Sequence, residues 1–449
     1  MKKAPGLTQR LVERARDIDY AGIPADVRGI ARLCVLDWIG VTLAASSDAL
    51  PRLLISEAIA DGGKPLATIV GHPLRVAPLQ AALINGTASH VLDFDDGNPT
   101  VIVHGSASIL PGLLALAEAT CATGADVVAA FVAGYETGCR VALLVQPGHY
   151  ARGYHNTCTI GTVAAATACS HLLKLDAESM AHAVGIAGTQ AAGLKSMFGT
   201  HCKPFHAGLA SHNGLRAARL AGSGMTSRTD VLECQQGFAS TLSPDFHPEA
   251  ALAQPQTFYM RGNVFKHHAS CGGTHAVVEC VRELYESNAF EARDIERVTV
   301  RADQTMNAMC NIAAPATGLE AKFSLRFMTA AALRRADTAG FALYEEANVR
   351  DPALCGLRDK VTVEFVQGWP KMQSEVIVDL ADGRTLRAMH DAGIPPTDYA
   401  RAGARLRAKF ERLAQPLVGD ARTDAILQLV TALERTGIPD LMAACGAAT

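Results

Sequence analysis

Residues 85–109 read NGTASHVLDFDDGNPTVIVHGSASI. Three carboxylates, Asp93, Asp95 and Asp96, and two histidines, His90 and His104, fall in this one stretch, between apolar, alanine-rich segments of helical pattern. Residues 85–92 read as the end of one helix. Gly97, Asn98 and Pro99 break the pattern, and Ser106 is placed to cap the next helix. An ionisable loop between two apolar helices is costly unless its groups are satisfied or used. The plain alternative is a cluster of capping and turn residues, so the rest of the chain decides.

Upstream and downstream of this loop, residues 1–267 are rich in Ala, Leu, Val and Gly. A helical pattern starts at Pro24-Ala25-Asp26, and others cover 78–92, 106–121, 125–145, 160–173, 177–193 and 207–221. Many are apolar around most of their circumference, as inner helices of a large bundle are. The texture changes near residue 268. Residues 296–301 (ERVTVR) and 361–366 (VTVEFV) alternate with period two, and Asp382-Gly383 sits between two further strand-like runs, a hairpin signal. Helical patterns at 275–287, 323–337 and 340–347 lie among these strands. From about residue 401 the chain is helical again. The expected fold is therefore mainly α: a large all-α helical domain built from both chain ends, 1–267 and 401–449, with a smaller α+β lid domain, 268–400, inserted.

The net charge of -3 gives no basic excess that would suit nucleic acid. Glu118, Asp126 and Glu136 interrupt the greasiest region, so no membrane span is expected, and the N-terminal lysines have no apolar segment behind them, so no signal peptide is expected either. Twelve cysteines are scattered with no CxxC pair. That pattern suits reduced thiols in a cytoplasmic protein and offers no ligand set for an iron–sulfur cluster.

Four further clusters share the character of the loop: GHYARGYHNT (148–157), FGTHCKPFHAG (198–208), VFKHHASCGGTH (264–275) and EAKFSLRF (320–327). Pro204 and the flanking glycines are expected to keep the second of these out of regular helix. Taken singly, each has an ordinary reading, such as structural histidines or surface lysines. Cys271 and His275, four apart with His267 and His268 nearby, raise zinc, but the glycines between them weaken any shared helical face, and no metal is expected. No GxSxG elbow is present, and Gly222-Ser223-Gly224 follows no strand, so neither a serine hydrolase nor a nucleotide fingerprint is indicated.

As a set, NGTASHVLDFDD, GYHNT, FGTHCKPFHAG, FKHHASC and AKFSLRF resemble, in order and spacing, the motifs of the MmgE/PrpD family, which contains 2-methylcitrate dehydratase, cis-aconitate decarboxylase and iminodisuccinate epimerase. The resemblance covers essentially the whole chain. It implies a cofactor-free homodimer with a helical domain and an α+β lid, acting on small di- or tricarboxylates through a pocket of Asp93, His104, His155, Lys203 and Lys266. Tyr150 resembles a tyrosine of the epimerase branch. Gly97 and Phe327 stand where decarboxylase-like members carry a threonine and a tyrosine. Gly105 replaces the usual proline.

Reactions of this kind place negative charge next to a carboxylate. Lys203, Lys266 and the histidines would stabilise it, at roughly 3–4 kcal/mol per well-placed donor. His155 is the expected base, because imidazole titrates near neutrality. Asp93 would orient a histidine or act as an acid with a pKa raised by burial, and His104 is the alternative acid. The leading expectation is a hydro-lyase dehydrating a 2-methylcitrate-like hydroxy acid. A racemase or epimerase comes second, with a decarboxylase and a non-catalytic carboxylate-binding protein behind it.

Overall fold

The computed structural model describes residues 5–254 and 256–446. The chain divides into two units, one formed by residues up to Phe265 together with those from Thr397 onward, the other by Lys266–Pro396. The protein is mainly α, with small sheets.

In the first unit the helices Ala25–Ala44, Gly105–Ala119, Gly124–Val145, Asn156–Leu172 and Cys202–Gly222 share one apolar core, Pro78–Val91 packs beside them through smaller apolar clusters, and the helix Tyr399–Val418, towards the C-terminus, packs on the first of them. The unit is not wholly helical, contrary to expectation. Ala67–Thr68 and Arg75–Val76 pair as a short antiparallel ribbon, tied down by Glu118, which accepts from the Thr68 N–H at 2.7 Å and its hydroxyl at 2.8 Å. Gly124–Val145 also departs from expectation, being long and apolar enough to cross a membrane by length and composition. It is buried in the unit along nearly its whole length. Its two charged core residues find partners there: Arg140 donates through Nη1 and Nη2 to the carbonyls of Ala251, Ala253 and Gln254, and Glu136 accepts from the N–H groups of Tyr259 and Met260.

One helix crossing sets the geometry of the site. A side chain at Gly86 would come within 2.7 Å of the Gly208 Cα, and one at Gly208 within 2.2 Å of the Leu83 carbonyl oxygen. Only a glycine pair lets the Pro78–Val91 and Cys202–Gly222 helices approach this closely. The start of the second helix differs from the sequence reading. It begins at Cys202, with Pro204 in its first turn, where the missing proline N–H forfeits no helical hydrogen bond. Lys203 and His206 are therefore helical residues rather than loop residues.

In the second unit four strands lie in the order Val361–Val366, Ile295–Asp303, Gln373–Leu380, Thr385–Asp391. The first pair is parallel, with Val300 opposite Val363, and the other two are antiparallel. Gly383 turns the last hairpin at φ +88°. The helices His275–Ser287 and Leu325–Leu333 pack on this sheet. The pattern at 340–347 is not one helix but a 3₁₀ turn, Phe341–Tyr344, followed by a short helix, Glu346–Val349.

Candidate active site

Asp95 organises the 85–109 stretch. Its buried carboxylate lies 2.9 and 3.0 Å from His90 Nδ1 and 2.9 Å from His104 Nδ1. His104 Nδ1 is also 2.8 Å from the Asp96 carbonyl oxygen. With only acceptors facing them, both Nδ1 atoms carry hydrogen, so in each neutral ring Nε2 holds the lone pair. Burial alone would raise Asp95, but His90 and then His104 outweigh it and hold the carboxyl well below its ordinary range. Burial pushes His90 down to about 4 despite Asp95, so that ring is neutral near pH 7. Its Nε2 is buried with no hydrogen-bond partner among the described residues. The orienting role expected of Asp93 is thus supplied by Asp95, two residues on. Nor does Ser106 cap the following helix. That helix starts at Gly105 behind His104, and the Ser106 hydroxyl donates to Asp96 Oδ2 at 2.8 Å.

Three helix N-termini bring the other groups in. His104 precedes Gly105–Ala119, His155 precedes Asn156–Leu172, and Lys203 is the second residue of Cys202–Gly222. The His104 N–H donates to the Thr157 hydroxyl at 3.3 Å, linking the first two N-termini. The His90 ring is 4.7 Å from that of His104 and 6.1 Å from that of His155. Lys203 is near enough to lower the pKa of both His90 and His155. Its ammonium donates to Asp93 Oδ1 at 2.7 Å. Asp93 makes this pair from the left-handed region, at φ +54°, a conformation that costs a non-glycine residue about 1–3 kcal/mol. Helix N-termini and an ammonium together suit an anion.

Behind this face, His155 Nδ1 lies 3.1 Å from His206 Nδ1, and Phe198 meets the His155 ring edge-on at 4.9 Å. Burial, followed by the neighbouring His90, Lys203, His206 and His104, puts His155 well below the usual imidazole range. Deeper still, Asp96 Oδ2 accepts from Ser106 and from the Asn263 amide, each at 2.8 Å. Burial first, then Asp37 and Asp95, pushes Asp96 up to about 7.

The remaining expected residues have these neighbours. The Tyr150 ring lies under the Lys195 ammonium, 3.7 Å away. Lys266 opens the second unit, where it bears on His275. His149 is structural, with Nδ1 on the Leu242 carbonyl at 3.0 Å, Nε2 on the Thr159 hydroxyl at 2.8 Å, and its ring stacked on Tyr154. The atoms considered for zinc point to other partners. His268 bonds Thr338 and Glu279, His275 faces the Ser270 carbonyl, and Cys271 Sγ is 3.3 Å from Cys310 Sγ. His90, Asp95 and His104 do offer ligand atoms within 4.8 Å of one another. An ion there would have to displace the hydrogen bonds that Asp95 already makes.

Comparison with known proteins gives matches along most of the chain. The model of the MmgE/PrpD N-terminal domain matches residues 9–251, and that of the C-terminal domain matches residues 268–435. The chain is 27% identical to the cis-aconitate decarboxylase-like protein oryM of Aspergillus oryzae, over 97% of this chain and 96% of that one. It is 25% identical to the cis-aconitate decarboxylase of Aspergillus terreus, over 96% and 94% of the two chains. With the human cis-aconitate decarboxylase it shares 27% identity, over 82% of this chain and 79% of that one.

Proposed function

Because the chain belongs to the MmgE/PrpD family, we propose that it is a lyase of small polycarboxylates that removes a proton alpha to a carboxylate, and that it dehydrates a 2-methylcitrate-like hydroxy acid. The observation that carries this reading is the meeting of three helix N-termini, bearing His104, His155 and Lys203, around neutral imidazoles. An anionic substrate is drawn to the N-termini and to Lys203. A neutral imidazole at His155 accepts the alpha proton, the C–H electron pair stays on carbon as an enolate, and Lys203 balances the new charge. His104, carrying hydrogen on both ring nitrogens beside the Asp95 carboxylate, hands its Nε2 proton to the departing hydroxyl. His90, fixed by Asp95, holds the His104 ring in place. Lys266 is proposed as a second cation for the substrate.

Decarboxylation is the second reading, favoured by the names of the similar proteins. Two residues weigh against it. A side chain at 97 would touch the His104 ring at 3.4 Å, and Gly97 leaves that face bare. Phe327 is buried and has no hydroxyl to donate.

Proton NMR in D₂O, with 2-methylcitrate, citrate, cis-aconitate and an aspartate-derived dicarboxylate as candidates, tests the proposal. Vinyl signals from a hydroxy acid are expected. Itaconate formed from cis-aconitate would make the enzyme a decarboxylase. Exchange of an alpha proton with no new product would make it an epimerase, and silence across the panel would remove the lyase reading.

A further inference from the structure

For His155 to act as a base through Nε2, its own proton must sit on Nδ1, and that proton needs an acceptor. The Nδ1 atom of His206 is 3.1 Å away. Two imidazoles joined Nδ1 to Nδ1 cannot both present a hydrogen in the contact, so one ring's tautomer dictates the other's. The contact is held from three sides. The His155 backbone N–H donates to the Gly193 carbonyl at 3.0 Å. Gly193 sits at φ +122°, and a side chain there would run into Cys158 at 2.6 Å and lie 3.5 Å from the His206 ring. His206 itself is fixed in the second turn of the Cys202–Gly222 helix. The groups facing His155 from neighbouring elements are His90, His104, Lys203 and Phe198. None of these is placed as an acceptor for its Nδ1 proton.

We propose that His206 is a positioning residue that holds His155 in its Nδ1–H tautomer and takes up that proton when His155 works as a base. This inference rests on the role given to His155 above. In the step, the substrate C–H bond breaks and its electron pair stays on carbon, while the proton forms a bond with His155 Nε2. The His155 Nδ1–H bond breaks in turn, and its proton passes to the lone pair on His206 Nδ1. His155 ends neutral, with hydrogen on Nε2, and His206 ends as the imidazolium. The positive charge thus moves one ring away from Lys203. After product and water leave, His206 returns its proton to His155 Nδ1 and the proton on Nε2 passes through solvent to replace the one that left with the hydroxyl, so no other reactant is required. Burial lowers the pKa of both rings, which keeps both neutral at rest.

The test combines ¹⁵N NMR of the histidine-labelled full-length protein with kinetics on the acid that the D₂O panel identifies. The His155 signals are assigned by their loss in His155→Gln. In the wild type, His155 Nδ1 is expected to be pyrrole-like and Nε2 pyridine-like. His206→Phe is expected to move the hydrogen to Nε2 and to lower kcat by about 100-fold with KM nearly unchanged, within the roughly 10⁴-fold that a wrong tautomer costs a serine protease triad. In His206→Gln the side-chain carbonyl still accepts from Nδ1–H, so the tautomer and part of kcat return. The rest does not, because an amide cannot take the proton. A pyridine-like Nδ1 in the wild type, or full kcat in His206→Phe, overturns the proposal. Should the phenylalanine variant fail to fold, the wild-type tautomer and the glutamine variant decide. Should no acid in the panel react, the lyase reading falls, while the tautomer measurement still decides whether His206 governs His155.

Discussion

Lys409 Nζ lies 2.6 Å from Asp37 Oδ1, a buried pair between helices 372 residues apart in sequence. The same ammonium donates at 2.7 Å to the carbonyl of Phe94, the residue between Asp93 and Asp95, and sits 3.8 Å over the Phe94 ring. The Tyr399–Val418 helix therefore grips the backbone of the carboxylate loop from behind. Burial acts on both members of the pair, pushing Asp37 up and Lys409 down, and their mutual attraction offsets it only in part.

Removing one member leaves the other charge buried alone, at a cost of about 3–5 kcal/mol, whereas replacing both with apolar residues is often close to neutral. Lys409→Met is therefore expected to lower the unfolding free energy from urea titration by that much, and Asp37→Leu/Lys409→Met to recover most of it. Because the Phe94 carbonyl loses its donor in both variants, kcat should stay low in the double variant. Urea titrations beside kinetics check this. Recovery of both stability and kcat would show that the grip on Phe94 does nothing for the site.

Acid and base should affect stability through two groups of opposite sign. His90 is depressed to about 4 against about 6.5 in an unfolded chain, so its contribution is present above pH 6.5 and is lost as pH falls toward 4. Asp96 is raised to about 7 against about 3.9 unfolded. Its contribution is present below pH 3.9 and is lost as pH rises through 7. Asp96→Asn removes the second effect. Its stability relative to wild type should rise between pH 4 and 7, by at most about 1.4 kcal/mol per pH unit, as measured by urea unfolding across that range. A difference independent of pH would mean that Asp96 is ionised throughout.

Much of this arrangement was legible in the sequence, because periodicity reports helices and a glycine-broken polar loop between apolar runs advertises itself. What escaped was partnership. Asp93 and Asp95 are chemically alike on paper. Only the turn after His90 decides that Asp95 meets the imidazoles while Asp93, in the left-handed region, meets Lys203. Pro204 read as a helix breaker because proline breaks interiors, yet the first turn tolerates it. Lys409 looked like any lysine of a charged C-terminal helix. Its burial depends on Asp37 and Phe94, hundreds of residues away, and no local pattern encodes such a pair. His206 was within a quoted motif, but its contact with His155 follows from two helix starts meeting, which spacing does not reveal.

The Gly86–Gly208 crossing should couple stability to activity. Gly208→Ala would place a methyl 2.2 Å from the Leu83 carbonyl and 2.4 Å from the Thr87 hydroxyl. Overpacking of this kind costs about 1–3 kcal/mol. It would also move the Lys203 helix away from the end of the His90 helix, so kcat/KM should fall together with Tm. Gly29→Ala is the control. It lies within the Ala25–Ala44 helix with nothing within 4 Å of the added carbon and should leave kcat/KM alone while gaining about 0.5–1 kcal/mol.

Chelation bears on the His90–Asp95–His104 group. Asp95 already engages the Nδ1 atoms of both histidines, so prolonged dialysis against EDTA should leave kcat unchanged. Loss of activity restored by zinc would instead make them ligands, with Asp95 bridging metal and histidine.

Lys203 separates a binding role from a catalytic one. Its side chain is 19% exposed and that of Asp93 14%, at a separation of 2.7 Å. An ion pair this far out of solvent is not a surface pair, and removing the cation costs a largely buried carboxylate its Lys203 contact, so Lys203→Met should lower Tm. It should also change turnover. A substrate carboxylate carries its charge before and after the step, and losing a cation that binds it raises KM. The enolate charge exists only along the reaction coordinate, and losing a cation that meets it lowers kcat, by about 10²–10³ for a well-placed donor. The proposed mechanism puts Lys203 on the enolate, so kcat should carry most of the loss. Lys203→Arg keeps the charge but spreads it over a wider plane, and kcat should return only in part. If Lys203→Met raised KM alone, Lys203 would be a binding residue, and the charge on the enolate would have to be met by another group.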